Sequence, residues 1–302
     1  MVYTEIASNK RKTALLITFF LVLIIGLGFV FSQNLDQPGL LPIAVGISIA
    51  MSFGSYFYSD KIVLAMSKAR EVKRTDDPEL YRTVDNLAIA AGLPTPKIYL
   101  IQDTAPNAFA TGRDPKHAVV AITTGLRAKL TKQELEGVMA HELSHIGNYD
   151  IRLSTIIVIL VGVVALLSDW MLRISFFNRR HRDNNGDSGQ AGAILAIAGI
   201  ILALLSPIAA TLIQLAISRK REYLADASAA LLTRYPQGLS SALRKIAADH
   251  EPLEVANKAT AHLYIANPLK DHKKDQISWF ANMFQTHPPI EDRIKKLEGM
   301  NF

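Results

Sequence analysis

Apolar and polar positions divide the chain into membrane-like and soluble-like stretches. Thr13–Ser32 and Pro38–Ser59 carry no charge, and each is long enough to cross a bilayer as a helix. The polar link Gln33–Gln37 joins them, so they predict a tight transmembrane hairpin. From Asp60 to Arg152 the pattern becomes soluble. Asp76-Asp77-Pro78 announces a helix with Leu80, Val84 and Leu87 on one face, and Gly92-Leu93-Pro94 stops it. Lys97–Gln102, Asn107–Thr111 and Ala118–Thr124 read as short strands. Thr131 and Glu134 have capping-box spacing, which starts a helix near Lys132 that runs to about Gly147-Asn148. Leu135, Val138 and Met139 make one of its sides apolar, so it is packed.

Two further apolar runs follow, Leu153–Ser168 and Ala191–Ser218. The first reaches only about 24 Å at about 1.5 Å per residue. The linker Asn178–Gln190 holds Arg179, Arg180 and Arg182, which lie on the disfavoured side if both runs span. Full spanning and a shallow, protein-covered hairpin both stay open. After Ser218 the pattern predicts helices over Glu222–Thr233, Leu239–Ala248 and Ile290–Leu297. The organisation is therefore a hairpin (1–59), a soluble part (60–152), a second apolar hairpin (153–218) and a second soluble part (219–302). These long runs make the chain a mainly α integral membrane protein.

Charge refines the picture. Lys10-Arg11-Lys12 precedes the first run and places the N-terminus, and with it the segment after the hairpin, in the cytoplasm. A cleaved signal peptide is the alternative, but the run is long for one and no A-x-A site follows. The formal net charge of +6 suits a protein beside anionic headgroups. Nucleic acid is not expected as a partner, because the basic residues are scattered and form no binding motif. The absence of cysteine excludes disulfides and thiolate metal sites.

The chemistry concentrates in His141-Glu142-Leu143-Ser144-His145. On a helix the two histidines lie one turn apart on one face, where both imidazoles can bind one Zn²⁺, and Glu142 stands beside them as a general base. A surface helix with two histidines and a glutamate is the plain alternative. A catalytic zinc normally has a third protein ligand, and Glu222 is the candidate. Asp226, four residues on, faces the same way and can accept the second ring N–H of a ligand histidine. An ordinary exposed helix with scattered carboxylates has the same spacing. Asn107, Ala108, Phe109 and Ala110 form a candidate edge strand that can pair with an extended peptide substrate. His287 is a candidate donor to an oxyanion. Arg293 is better read as pairing structurally with an acid. The other histidines have no ligand-like spacing.

His141–His145 together with Arg221-Glu222-Tyr223-Leu224-Ala225-Asp226 resembles the HtpX membrane metalloproteases, gluzincins related to the CAAX prenyl endopeptidases. Pro106–Gly112, Thr286-His287-Pro288-Pro289 and the order of the apolar runs match the same pattern, so the resemblance covers nearly the whole chain. It implies a zincin-like α+β metalloprotease domain, with a small sheet whose edge strand lies beside the zinc helix. It implies one zinc per chain on His141, His145 and Glu222, with Glu142 as base. It also implies a multi-pass protein of a bacterial inner membrane, with a cytoplasmic catalytic domain that cleaves misfolded or damaged membrane proteins. Prenyl-protein processing and a catalytically silent scaffold are the competing readings. The chain is short for the first, and the intact set of four site residues argues against the second.

Overall fold

The computed structural model of the chain describes residues 2–34, 38–157, 159, 219–254, 260, 263–266 and 288–300. Most of the second apolar hairpin and His287 lie outside the described residues. Two long helices come first, α1 (Val2–Asn34) and α2 (Leu40–Met66), packed side by side. Among the described residues, Leu41–Met66 is the helix that is long and apolar enough to cross a membrane by length and composition. The hairpin boundary expected at residue 59 falls inside α2. Residues 60–66 contain no glycine or proline to stop the helix, and it ends only at Ser67, before Lys68 at φ 50°.

The remainder is mostly helical around one small mixed sheet. β1 (Arg70–Glu71), β2 (Lys97–Ile101), β3 (Ala108–Gly112) and β4 (Ala118–Thr123) lie in the order β1-β2-β4-β3. β2 and β4 are parallel, and the other two pairings are antiparallel. β3 is therefore an edge strand. Alternate residues feed opposite faces, as the pleat requires. Ala108, Ala110, Val120 and Ile122 join the larger core, while Phe109, Val119 and Ala121 join the smaller one. Val63 and Leu64 of α2 also pack in the smaller core, which fixes the first hairpin to the sheet.

Helix α3 (Pro78–Ala90) starts where the sequence predicts. Asp77 caps it by accepting from the Leu80 N–H at 3.0 Å. It ends at Gly92, whose φ of 67° favours glycine. The strand expected to reach Thr124 stops one residue earlier, because the Thr123 hydroxyl accepts from the Leu126 N–H and caps the short α4 (Thr124–Lys129).

Helix α5 (Lys132–Gly147) lies against the sheet, with Leu135, Val138, Met139 and Leu143 buried. Its capping box is complete: the Glu134 N–H donates to Thr131 Oγ1, and the Thr131 N–H donates to Glu134 Oε2 at 2.7 Å. Three helices from the far end of the chain follow: α6 (Arg219–Thr233) and α7 (Pro236–Ala248) pack on α5, and α8 (Ile290–Glu298) packs on α6 and α7. The approach of α7 to α5 depends on glycine. A Cβ on Gly137 would lie 2.6 Å from the Leu239 backbone nitrogen, and one on Gly238 would lie 2.6 Å from the Gln133 carbonyl oxygen.

Candidate active site

The site forms where α5, α6 and α8 meet. His141 and His145 are one turn apart on α5, and their Nε2 atoms approach to 3.2 Å. Glu222, in the first turn of α6, brings Oε2 to 3.8 Å from His141 Nε2 and Oε1 to 3.5 Å from His145 Nε2. One donor atom from each of the three residues lies within 4.8 Å of the others. A tetrahedral ion with bonds of about 2.0–2.1 Å has ligand-to-ligand edges of about 3.4 Å. The observed separations bracket that edge, and two imidazoles with one carboxylate suit a borderline ion such as Zn²⁺. The residues present therefore fit the metal.

The outer ring nitrogens are also engaged. His141 Nδ1 lies 3.0 Å from Asp226 Oδ1, and His145 Nδ1 lies 3.0 Å from Asp150 Oδ2. In each case the tautomer that donates from Nδ1 leaves the Nε2 lone pair directed at the shared centre. Asp226 is itself held by Arg293, which donates from Nε at 2.9 Å and from Nη2 at 2.7 Å to its two oxygens. Arg293 is completely buried. Its Nη1 also donates to the Ile265 carbonyl at 3.0 Å and stands 3.8 Å from Glu222 Oε2.

Burial and charge set the protonation of the metal-free site. Burial pushes Glu142 up to about 7, and the nearby Glu222 charge adds to this against the opposing pull of His145 and Arg293. The Ala110 backbone N–H donates to Glu142, so the edge strand β3 touches the general-base candidate directly. Burial pulls His145 down, but the bond to Asp150 and the surrounding carboxylates outweigh it and hold the ring at about 9. Burial, with the Arg293 and His145 charges, leaves His141 below its ordinary value despite Asp226. Burial pushes Asp226 up, but Arg293 and His141 overcome it and hold the carboxyl at about 2.

The structure thus brings together five residues singled out in the sequence: His141, Glu142, His145, Glu222 and Asp226. The pairing expected of Arg293 with an acid is found, and the acid is Asp226. The candidate substrate strand lies beside the site, but its free edge is partly engaged. The Ile265 N–H donates to the Ala108 carbonyl at 2.9 Å, and the Asn107 amide donates to the Ala266 carbonyl at 3.1 Å. Sequence reasoning missed Asp150 as the partner of His145. The available signal was a carboxylate five residues after His145, immediately past the helix end.

The model for Peptidase family M48 matches residues 74–301. A protein named "Protease HtpX homolog" from Dictyoglomus turgidum is 46% identical over 300 residues, covering 99% of this chain and 94% of its own length. Proteins of the same name from Tropheryma whipplei and Lactobacillus helveticus are 45% and 44% identical; each match covers 99% of this chain, and 99% and 100% of the relatives. Among solved structures, the crystal structure of S. mikatae Ste24p superposes with a TM-score of 0.49 at 20% identity, covering 95% of this chain and 66% of that one. With the family's profile spanning the entire site and full-length relatives at this identity, the chain belongs to Peptidase family M48.

Proposed function

We propose that this chain is a zinc-dependent endopeptidase of a bacterial inner membrane, which cleaves misfolded or damaged membrane proteins at the cytoplasmic face. The observation that carries the reading is the convergence of His141, His145 and Glu222 at tetrahedral edge distances, with Glu142 buried beside them. The names of the relatives support the protease assignment. The exposed apolar side chains of α1 and α2, among them Leu15, Phe19, Ile43, Ile47 and Phe53, support the membrane placement.

His141, His145 and Glu222 would hold one zinc, which when bound supplies Lewis-acid polarisation of a carbonyl and of water. Asp226 and Asp150 hold the two imidazoles in the ligating tautomer. Glu142 takes the proton of the attacking water and returns it to the leaving amine. The zincin-like arrangement supplies an edge strand beside that base. The Ala108 and Ala110 carbonyls would hold an extended peptide with little regard to sequence, once the Ile265 contact yields to the substrate, while the Ala110 N–H stays on Glu142. His287 is proposed as a donor to the developing oxyanion.

Metal analysis beside a cleavage assay on an unfolded membrane-protein substrate tests the reading. Glu142→Gln is expected to keep one zinc per chain and lose about 10²–10⁴-fold or more in turnover. Glu222→Ala is expected to lose both, and normal zinc affinity in that variant would overturn the ligand assignment.

A further inference from the structure

We infer that Asn9, on the first helix, is a positioning residue for the metal centre, acting on His145 through Asp150. This rests on the metallopeptidase reading of the site. Asp150 is buried and has two oxygens to satisfy. Oδ2 faces His145 Nδ1 at 3.0 Å. Oδ1 accepts from the Asn9 amide at 2.8 Å and from Arg221 Nη1 at 3.3 Å. Asn9 is 1% exposed, and every polar atom of its side chain is used. Its amide also donates to the Asn148 carbonyl at 3.0 Å, and its oxygen accepts from Arg221 Nη1 at 2.9 Å.

Asn9 therefore fixes three things at once: the carboxylate that orients His145, the end of α5, and the arginine that precedes ligand Glu222 in sequence. Without it, the carboxylate of Asp150 is free to rotate towards the Arg221 guanidinium and away from the imidazole. The contact is supported locally. Lys10, the next residue of α1, lies 4.7 Å over the Tyr149 ring, and Arg152 lies 4.9 Å from the same ring. Tyr149 has φ 61°, an uncommon conformation for a bulky residue, and it is this turn that directs Asp150 back towards His145. Asn9 lies outside residues 74–301, so the contribution comes from beyond the stretch that the family model matches.

The test uses the full chain in detergent, stripped of metal and titrated with Zn²⁺ against a chromophoric chelator, and with Co²⁺ for its visible spectrum. Asn9→Ala is expected to lower zinc affinity about 10–100-fold and to shift the Co²⁺ bands. Thr13→Ala is the control for packing. Thr13 is buried one turn further along α1, and no hydrogen-bond partner is found for its hydroxyl among the described residues. It should leave affinity unchanged; Asn9→Ala is expected to melt lower because it loses buried hydrogen bonds, so affinities are compared at a temperature where both metal-free variants are folded. Asn9→Asp, isosteric with the native side chain, removes the donor and faces Asp150 with a like charge. It should weaken zinc at least as much, and it covers the case in which the alanine variant does not fold. In an Asp150→Asn background, Asn9→Ala should add little. Wild-type affinity and spectrum in both Asn9 variants, an equal loss in Thr13→Ala, or a full Asn9 effect persisting without Asp150 would each overturn the inference. A wild-type chain that takes up no zinc instead overturns the peptidase reading on which it rests.

Discussion

Arg293 shows how much a single residue contributes to this site. Its guanidinium has no exposure to water and neutralises a pocket containing Asp226 and Glu222. Removing it leaves Asp226 buried against His141 without its cation, and losing one member of a buried pair costs about 3–5 kcal/mol. Arg293→Ala is expected to show that loss in chemical denaturation of the metal-free protein. Arg293→Lys should not recover it, because an ammonium cannot bridge both carboxylate oxygens. Asp226→Asn should keep the fold but weaken zinc about 10–100-fold, read by chelator competition. His141, Glu142 and His145 were legible in the sequence because helical spacing alone puts them on one face. Glu222 and Asp226 were legible only as a spaced pair, and the resemblance decided between them and an ordinary helix. Asn9 had no such signal, since its partner Asp150 is 141 positions away and no local pattern encodes the contact.

Helix α5 joins its neighbours through two features that behave differently under mutation. At Gly137 the added Cβ would meet backbone of α7, which cannot move aside as a flexible side chain can. The intrinsic helix gain of about 1 kcal/mol for Gly→Ala is then outweighed by an overpacking cost of about 1–3 kcal/mol. Gly137→Ala should lower the melting temperature, whereas Gly147→Ala, which meets only Leu93 side-chain atoms at 3.6 Å or more, should leave it unchanged or raise it. At the N-terminus of α5, Glu134 accepts from Ser241 and from Lys245 of α7 at 2.6 and 2.7 Å. Burial pushes its carboxyl up, but these bonds and the Thr131 backbone outweigh burial and hold it at about 2, below its ordinary 4.5. A depressed carboxyl binds fewer protons folded than unfolded, so its stabilisation is present above about pH 4.5 and lost as pH falls towards 2. Glu134→Gln should flatten thermal stability across that window. Both the capping box and the Asp77 cap were legible because caps are local chemistry. β1 and α4, at 2 and 6 residues, are too short to carry a period and were not read.

At the scale of the whole molecule, the first hairpin and the candidate site are one structure. α1 and α2 pack on each other, α2 reaches the smaller core, and the start of α1 touches the α5 terminus. That contact joins the basic Lys10-Arg11-Lys12 end of α1 to the site, so on the membrane placement proposed above both share one side. Cysteine labelling can check this without background, because the chain has no cysteine of its own. Gln33 and Gln237 are both exposed. Gln33→Cys, at the far end of α1, should react with an impermeant maleimide on intact cells. Gln237→Cys should react only after permeabilisation, and its labelling on intact cells would remove the cytoplasmic assignment. No local pattern marks the residues before the first apolar run as touching the site. The distribution of the site along the chain also constrains biosynthesis. Asn9, His145, Glu222 and Arg293 come in that order from four separate stretches, with the 153–218 apolar region between the second and third. A nascent chain still short of residue 222 has the two histidines without Glu222, and one short of 293 has Asp226 without the arginine that pairs with it. On the metallopeptidase reading proposed above, the chain is expected to stay inactive during its own synthesis, and activity to begin only after translation has passed the last of these positions.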